Sequence, residues 1–205
     1  MIKSVFGDRL DRWVRAAFPF LFLWPLNPNL LTVVGTAISL AAAVAFAVGW
    51  FVTGGVLMIA GGFFDLVDGV VARHRGVTTR FGAFLDATLD RLADMAVLLG
   101  IAMHFSFAGE PGLVLLAGYT LVVSVLVSYA QARAEISLSS FRVGLLERAE
   151  RVLILAAGAL FGLMIPALWV IAVGSTITVV QRVTHAYREM ERIDAAERTG
   201  LGRNS

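Results

Sequence analysis

Residues 65–90 read DLVDGVVARHRGVTTRFGAFLDATLD. Four aspartates, Asp65, Asp68, Asp86 and Asp90, stand here where two apolar runs approach a short basic connection, and Asp94 follows one turn later. On helices, Asp65 and Asp68 (three apart) share a face, and so do Asp86 and Asp90 (four apart). A loop as short as 74–80 makes the two helices antiparallel neighbours, so the pairs can meet. Charges inside apolar segments are expensive and mark a functional site by default.

The surrounding chain is apolar enough to need lipid. Of 205 residues, 58% are hydrophobic and 16% charged, against roughly 45–50% and about 25% in soluble domains. Soluble enzymes and nucleic-acid-binding modules are thereby excluded. With Cys absent, disulfides, thiolate metal sites and cysteine nucleophiles are excluded as well. Six apolar stretches near 30–50, 52–73, 84–105, 112–133, 149–166 and 168–188 approach the ~20 residues of a transmembrane helix. Pro25 and Pro28 precede the first, Gly54 and Gly55 are read as the second turn, and Pro166 is read as separating the last pair. The fold expected is an all-α integral membrane protein of six transmembrane helices over residues 24–190. Residues 191–205 are expected as a charged cytoplasmic tail that first extends the sixth helix.

Residues 1–23 predict an amphipathic juxtamembrane helix. Ile2, Phe6, Leu10, Trp13 and Ala17 recur at helical spacing, and charges through the first fifteen residues argue against a cleavable signal. The 17 basic residues, all arginine but Lys3, fall at the N-terminus, at 73–80, at 133–151 and after 181, with Arg91 apart. The connections near 50–53, 106–112 and 163–168 carry none. With six spans every basic cluster lies on one side, which places both termini in the cytoplasm. A cell (inner) membrane location follows as the expectation.

Carboxylates this close do not all stay ionised without cations. An oxygen-only donor set suits a hard divalent ion, Mg²⁺ or Mn²⁺, two of them for four carboxylates. The same residues also fit salt bridges to Arg73, Arg75, Arg80 and Arg91, or a cation or proton path in a membrane carrier. His74, His104 and His185 lack metal-ligand spacing.

The spacing distinguishes these readings. The pattern D-x-x-D-G-x-x-A-R-x8-G-x3-D-x3-D, at Asp65, Asp68, Gly69, Ala72, Arg73, Gly82, Asp86 and Asp90, resembles the signature of the CDP-alcohol phosphotransferase family. The resemblance extends over about residues 25–190. It implies attack by an acceptor hydroxyl on the β-phosphorus of a CDP-linked lipid, with CMP leaving. It also implies a homodimer, for which Gly54, Gly55, Gly61 and Gly62 would allow close helix contacts. By the same resemblance Asp65, Asp68 and Asp86 are metal ligands. Asp90 touches the second ion and is the general base. The CDP-lipid falls to Asp65, Asp68, Gly69, Ala72, Arg73, Thr79 and Gly82. Pro28-Asn29-x-x-Thr32 resembles a further family element that binds the cytidine end, although as bare chemistry it equally fits a helix cap and a span hydroxyl.

The stretches SYAQARAE at 128–135 and LERAERVLI at 146–154 resemble the bacterial phosphatidylinositol phosphate synthases of that family. This implies that Arg133, Arg148, Arg151 and Arg182 bind the phosphate of inositol 1-phosphate. As bare sequence they are equally ordinary positive-inside anchors. Gln131 stands where that branch carries Lys, and Ala149 where it carries Pro. Glycerol 3-phosphate is the rival acceptor and also needs a cationic pocket. Against it, Ala87 follows Asp86 where the glycerol-phosphate branch shows Pro.

Overall fold

The computed structural model describes residues 27–77, 79–138, 141 and 143–198; the N-terminal amphipathic helix expected over 1–23 lies outside them. Every regular element among the described residues is an α-helix: α1 Pro28–Ala47, α2 Phe51–Arg75, α3 Arg80–Phe107, α4 Pro111–Ala134, α5 Arg148–Leu160 and α6 Met164–Arg198. Four of them, α1, α2, α4 and α6, are long and apolar enough to cross a membrane. The chain is therefore an all-helical, multi-pass membrane protein. It divides into two compact units, residues 1–100 and 101–205.

Local chemistry sets the helix ends. Asn27 caps α1 by accepting from Asn29 N at 3.0 Å, and Pro28 follows at the first helical position, where its missing N–H costs nothing. Thr79 Oγ1 accepts from Gly82 N at 2.9 Å and so caps α3. In the first unit α1 packs along α2. Leu31 is buried with Val67, Val70 and Val71, and Phe63, Phe64 and Leu66 pack against them. The approach is close because side chains are missing on both helices. A Cβ at Gly35 would lie 3.0 Å from Phe64 Cβ and 3.1 Å from the Gly61 carbonyl oxygen. A Cβ on Gly100 of α3 would overlap the Ala43 carbonyl.

In the second unit α4 and α5 each pack against α6. Thr120 and Thr178 are completely buried and turn their hydroxyls onto carbonyls one turn back, at 2.7 Å each. Tyr119 and Thr176 join α4 to α6 through a 2.8 Å hydroxyl contact.

Three boundaries differ from the expectation. The turn between α1 and α2 is made by Gly49, at φ +84°, a conformation that favours glycine. Gly54 and Gly55 lie inside α2, and Gly54 is seated against the Phe46 ring, which a Cβ would meet at 2.8 Å. The last pair of helices is separated by Phe161–Leu163 around Gly162, whereas Pro166 sits in the first turn of α6, where a proline is tolerated. The fifth apolar stretch forms a helix of 13 residues, about 20 Å at 1.5 Å per residue. That is short of the ~30 Å hydrocarbon core. The tail does extend the sixth helix, to Arg198.

Gly100→Ala should press a methyl into immobile backbone and destabilise the fold by about 1–3 kcal/mol. Gly62→Ala, where a Cβ meets nothing within 4 Å, should leave the melting temperature in detergent unchanged or raise it.

A candidate metal and nucleotide site

Asp65 and Asp68 occupy successive turns of α2, and Asp86 the second turn of α3. One carboxylate oxygen from each lies within 4.8 Å of the other two. Asp68 is 6% exposed, and Asp86 Oδ1 is sealed from solvent. Three carboxylates this close, one buried and two half-buried, repel one another and lose part of their hydration, a cost that a bound cation offsets. Carboxylate oxygens without sulfur or imidazole form the donor set of a hard divalent ion. The cluster therefore fits such an ion by charge, donor type and spacing.

Thr32 anchors the cluster from α1. Its hydroxyl donates to Asp68 Oδ2, a contact between residues 36 positions apart in sequence. Thr32, expected at the cytidine end, is thereby also tied to a carboxylate of the trio. Asn27 supplies the helix cap that Asn29 had been one candidate for. The Asn29 side chain instead lies over Gly82. A Cβ on Gly82 would sit 3.1 Å from Asn29 Oδ1 and 3.0 Å from Thr79 Oγ1, so the missing side chain lets three residues assigned to the nucleotide come together. Gly69 serves Arg73 in the same manner: the guanidinium Nη1 lies 3.1 Å from where a Cβ would stand. Ala72 is half-buried in the intervening turn.

Asp90, one turn beyond Asp86, is outside the 4.8 Å trio. It is partly buried and lies 3.7 Å from Arg91 Nη1, within reach of any hydroxyl brought to that face of α3.

The arginines assigned to an acceptor phosphate lie in the second unit and differ in burial. Arg133 is exposed, Arg148 half-buried, and Arg151 and Arg182 are buried at 5% and 2% exposure. Arg151 Nη1 reaches the Leu146 carbonyl at 3.4 Å. Arg182 donates from Nε to the Val143 carbonyl at 2.8 Å and from Nη1 to that of Val127. Gln131, at the position that departs from the inositol-phosphate pattern, donates to Glu135 at 2.9 Å. The sequence reading missed the capping role of Asn27, although Asn-Pro ahead of an apolar run signals it.

A family model described as CDP-alcohol phosphatidyltransferase matches residues 25–182. A phosphatidylinositol phosphate synthase of Mycobacteroides abscessus is 44% identical over 171 residues, covering 79% of this chain and 77% of that one. An archaetidylinositol phosphate synthase of Pyrococcus horikoshii is 37% identical over 167 residues, covering 81% and 86%. Among solved structures, Mycobacterium tuberculosis phosphatidylinositol phosphate synthase with CDP-DAG bound superposes with a TM-score of 0.75 at 34% identity, over 88% of this chain and 93% of that one. The same enzyme in complex with manganese and citrate gives a TM-score of 0.75 at 34% identity over 88% of each.

Replacing any one of Asp65, Asp68 or Asp86 by Asn should weaken Mn²⁺ binding at least about tenfold in an EPR titration. Thr32→Val should weaken it by up to about tenfold, because the hydroxyl orients Asp68. Asp94→Asn should leave the titration near wild type.

Proposed function

The chain belongs to the CDP-alcohol phosphatidyltransferase family, and we propose that it transfers a phosphatidyl group from CDP-diacylglycerol to the hydroxyl of inositol 1-phosphate, releasing CMP. The observation that carries the reading is the Asp65–Asp68–Asp86 cluster in the same unit as the Asn29–Thr79–Gly82 contact. A charge-neutralising site and a nucleotide-sized approach are both required by a CDP-linked donor. The relatives named for inositol phosphate products favour that acceptor over glycerol 3-phosphate. A cation-coupled carrier would need the carboxylates but not the nucleotide contacts.

Asn29 and Thr32 receive the cytidine end, Thr79 and Gly82 line the nucleotide, and Gly69 and Ala72 keep the surface of α2 low beneath the diphosphate. Arg73, folded over Gly69, pairs with a phosphate oxygen of the donor. Asp90 takes the proton of the acceptor hydroxyl. The hydroxyl oxygen bonds to the β-phosphorus while the bond from that phosphorus to the CMP oxygen breaks. Arg133, Arg148, Arg151 and Arg182 hold the acceptor phosphate. Two divalent ions, Mg²⁺ or Mn²⁺, when bound by Asp65, Asp68, Asp86 and Asp90, supply neutralisation of the diphosphate charge.

The charge distribution supports six crossings in a cell (inner) membrane, with α3 and α5 completing the set and the bilayer thinning locally around the short α5. Both termini and the site then face the cytoplasm, residues 1–23 lie at the interface, and the enzyme works as a homodimer.

Purified protein with CDP-diacylglycerol and Mg²⁺ or Mn²⁺ should release CMP with inositol 1-phosphate and far less with glycerol 3-phosphate, inositol or serine. Chelation should abolish release, and Asp90→Asn should lower kcat by about 10²–10⁴-fold. Release with glycerol 3-phosphate alone would move the enzyme to the rival branch. Ion flux in proteoliposomes without CMP release would support the carrier.

A further inference from the structure

Between α4 and α5 the chain passes through Val143–Leu146, a segment with no helix of its own. It is fastened to α6 at two successive backbone amides. Leu145 N donates to Gln181 Oε1 and Leu146 N to Thr178 Oγ1, each at 3.0 Å. The Thr178 hydroxyl is completely buried and gives its own proton to the Gly174 carbonyl at 2.7 Å, so a lone pair is left facing Leu146. Gly144, at φ +147°, lies against the same side chains: a Cβ there would stand 2.5 Å from Thr178 Cγ2 and 3.3 Å from Arg182 Nε. Next along the segment, the Val143 carbonyl receives Arg182 Nε. The segment also lines an open groove of about 440 Å³ together with Gln181, Thr184, His185 and Arg188 of α6.

We propose that Thr178 and Gln181 are positioning residues for the acceptor, acting through Arg182. They pin the segment whose Val143 carbonyl, together with that of Val127, fixes the plane of the guanidinium fork. Arg182 then meets the acceptor phosphate already oriented. A long cation held in one plane before its anion arrives loses less side-chain freedom on binding. This rests on the functional reading above and adds to it: acceptor affinity is set by two uncharged side chains as well as by the arginines. Neither residue belongs to the donor half of the reaction, so their loss should leave CDP-diacylglycerol handling intact.

The test is steady-state kinetics with both substrates varied, on wild type, Gln181→Met, Thr178→Val and Thr178→Ser. Gln181 is exposed, so its variant folds even if the buried Thr178→Val does not. The expected result is an inositol 1-phosphate KM raised about tenfold in Gln181→Met and Thr178→Val, with kcat and the CDP-diacylglycerol KM within about twofold of wild type. Thr178→Ser, which keeps the acceptor oxygen, should restore the wild-type value. An unchanged acceptor KM in Gln181→Met, or equal losses for both substrates, overturns the proposal. Wild-type protein that fails to use inositol 1-phosphate overturns the functional reading itself, and the two failures are told apart by that first measurement.

Discussion

The repulsion among Asp65, Asp68 and Asp86 is the constraint on which the first unit depends. Their oxygens lie within 4.8 Å of one another. Unit charges about 4 Å apart interact by on the order of 4 kcal/mol even at an effective dielectric of 20. Helix packing alone does not supply that energy in a membrane, where association rests on close contact and polar pairing. The close contact is visible at Gly35, Gly61 and Gly100, and the polar pairing at Thr32, whose hydroxyl ties α1 to Asp68. A divalent ion completes the balance, so binding the metal and holding α1, α2 and α3 together become one requirement. An enzyme that must grip a diphosphate thus gains a charge site without charged loops.

The second unit solves a different problem, how to keep arginines in an apolar helix pair. Arg151 and Arg182 are buried, and each hands N–H groups to backbone carbonyls: Leu146 for one, Val143 of the linking segment and Val127 within α4 for the other. At Val143 and Leu146 the exchange benefits both sides, since a carbonyl orphaned in a linking segment is costly in low dielectric. Arg133 and Arg148, with more exposure, keep the freedom to follow a ligand. One residue type therefore serves both as anchor and as a candidate anion contact, and burial sets how freely each side chain moves rather than which use it has.

Much of this was legible in the chain. Apolar runs broken by glycine and proline gave the helices, because a helix in lipid must satisfy its backbone internally and so declares itself by length and composition. The spacing from Asp65 to Asp90 gave the carboxylate face, because residues three and four apart on a helix are neighbours whatever surrounds them, and the resemblance of the whole motif to a known signature gave the family. Gly54, Gly55 and Pro166 misled. A glycine inside a helix that packs on a ring, as Gly54 does on Phe46, looks in sequence like one in a turn. A proline in the first turn looks like one between helices, and α5 stops at 13 residues, where apolar composition alone suggested a longer run.

The sequence by itself therefore determined the membrane-embedded helical class, the carboxylate set and its hard-ion chemistry. All of these depend on local periodicity and on the cost of charge in lipid. Only the tertiary structure decided that Thr32 belongs to Asp68 and that Asn29 leans over Gly82. It also decided that Arg182 is held by carbonyls from two other segments. Those contacts join residues tens of positions apart, and no local pattern encodes which side chains the packing of helices will bring within hydrogen-bonding distance.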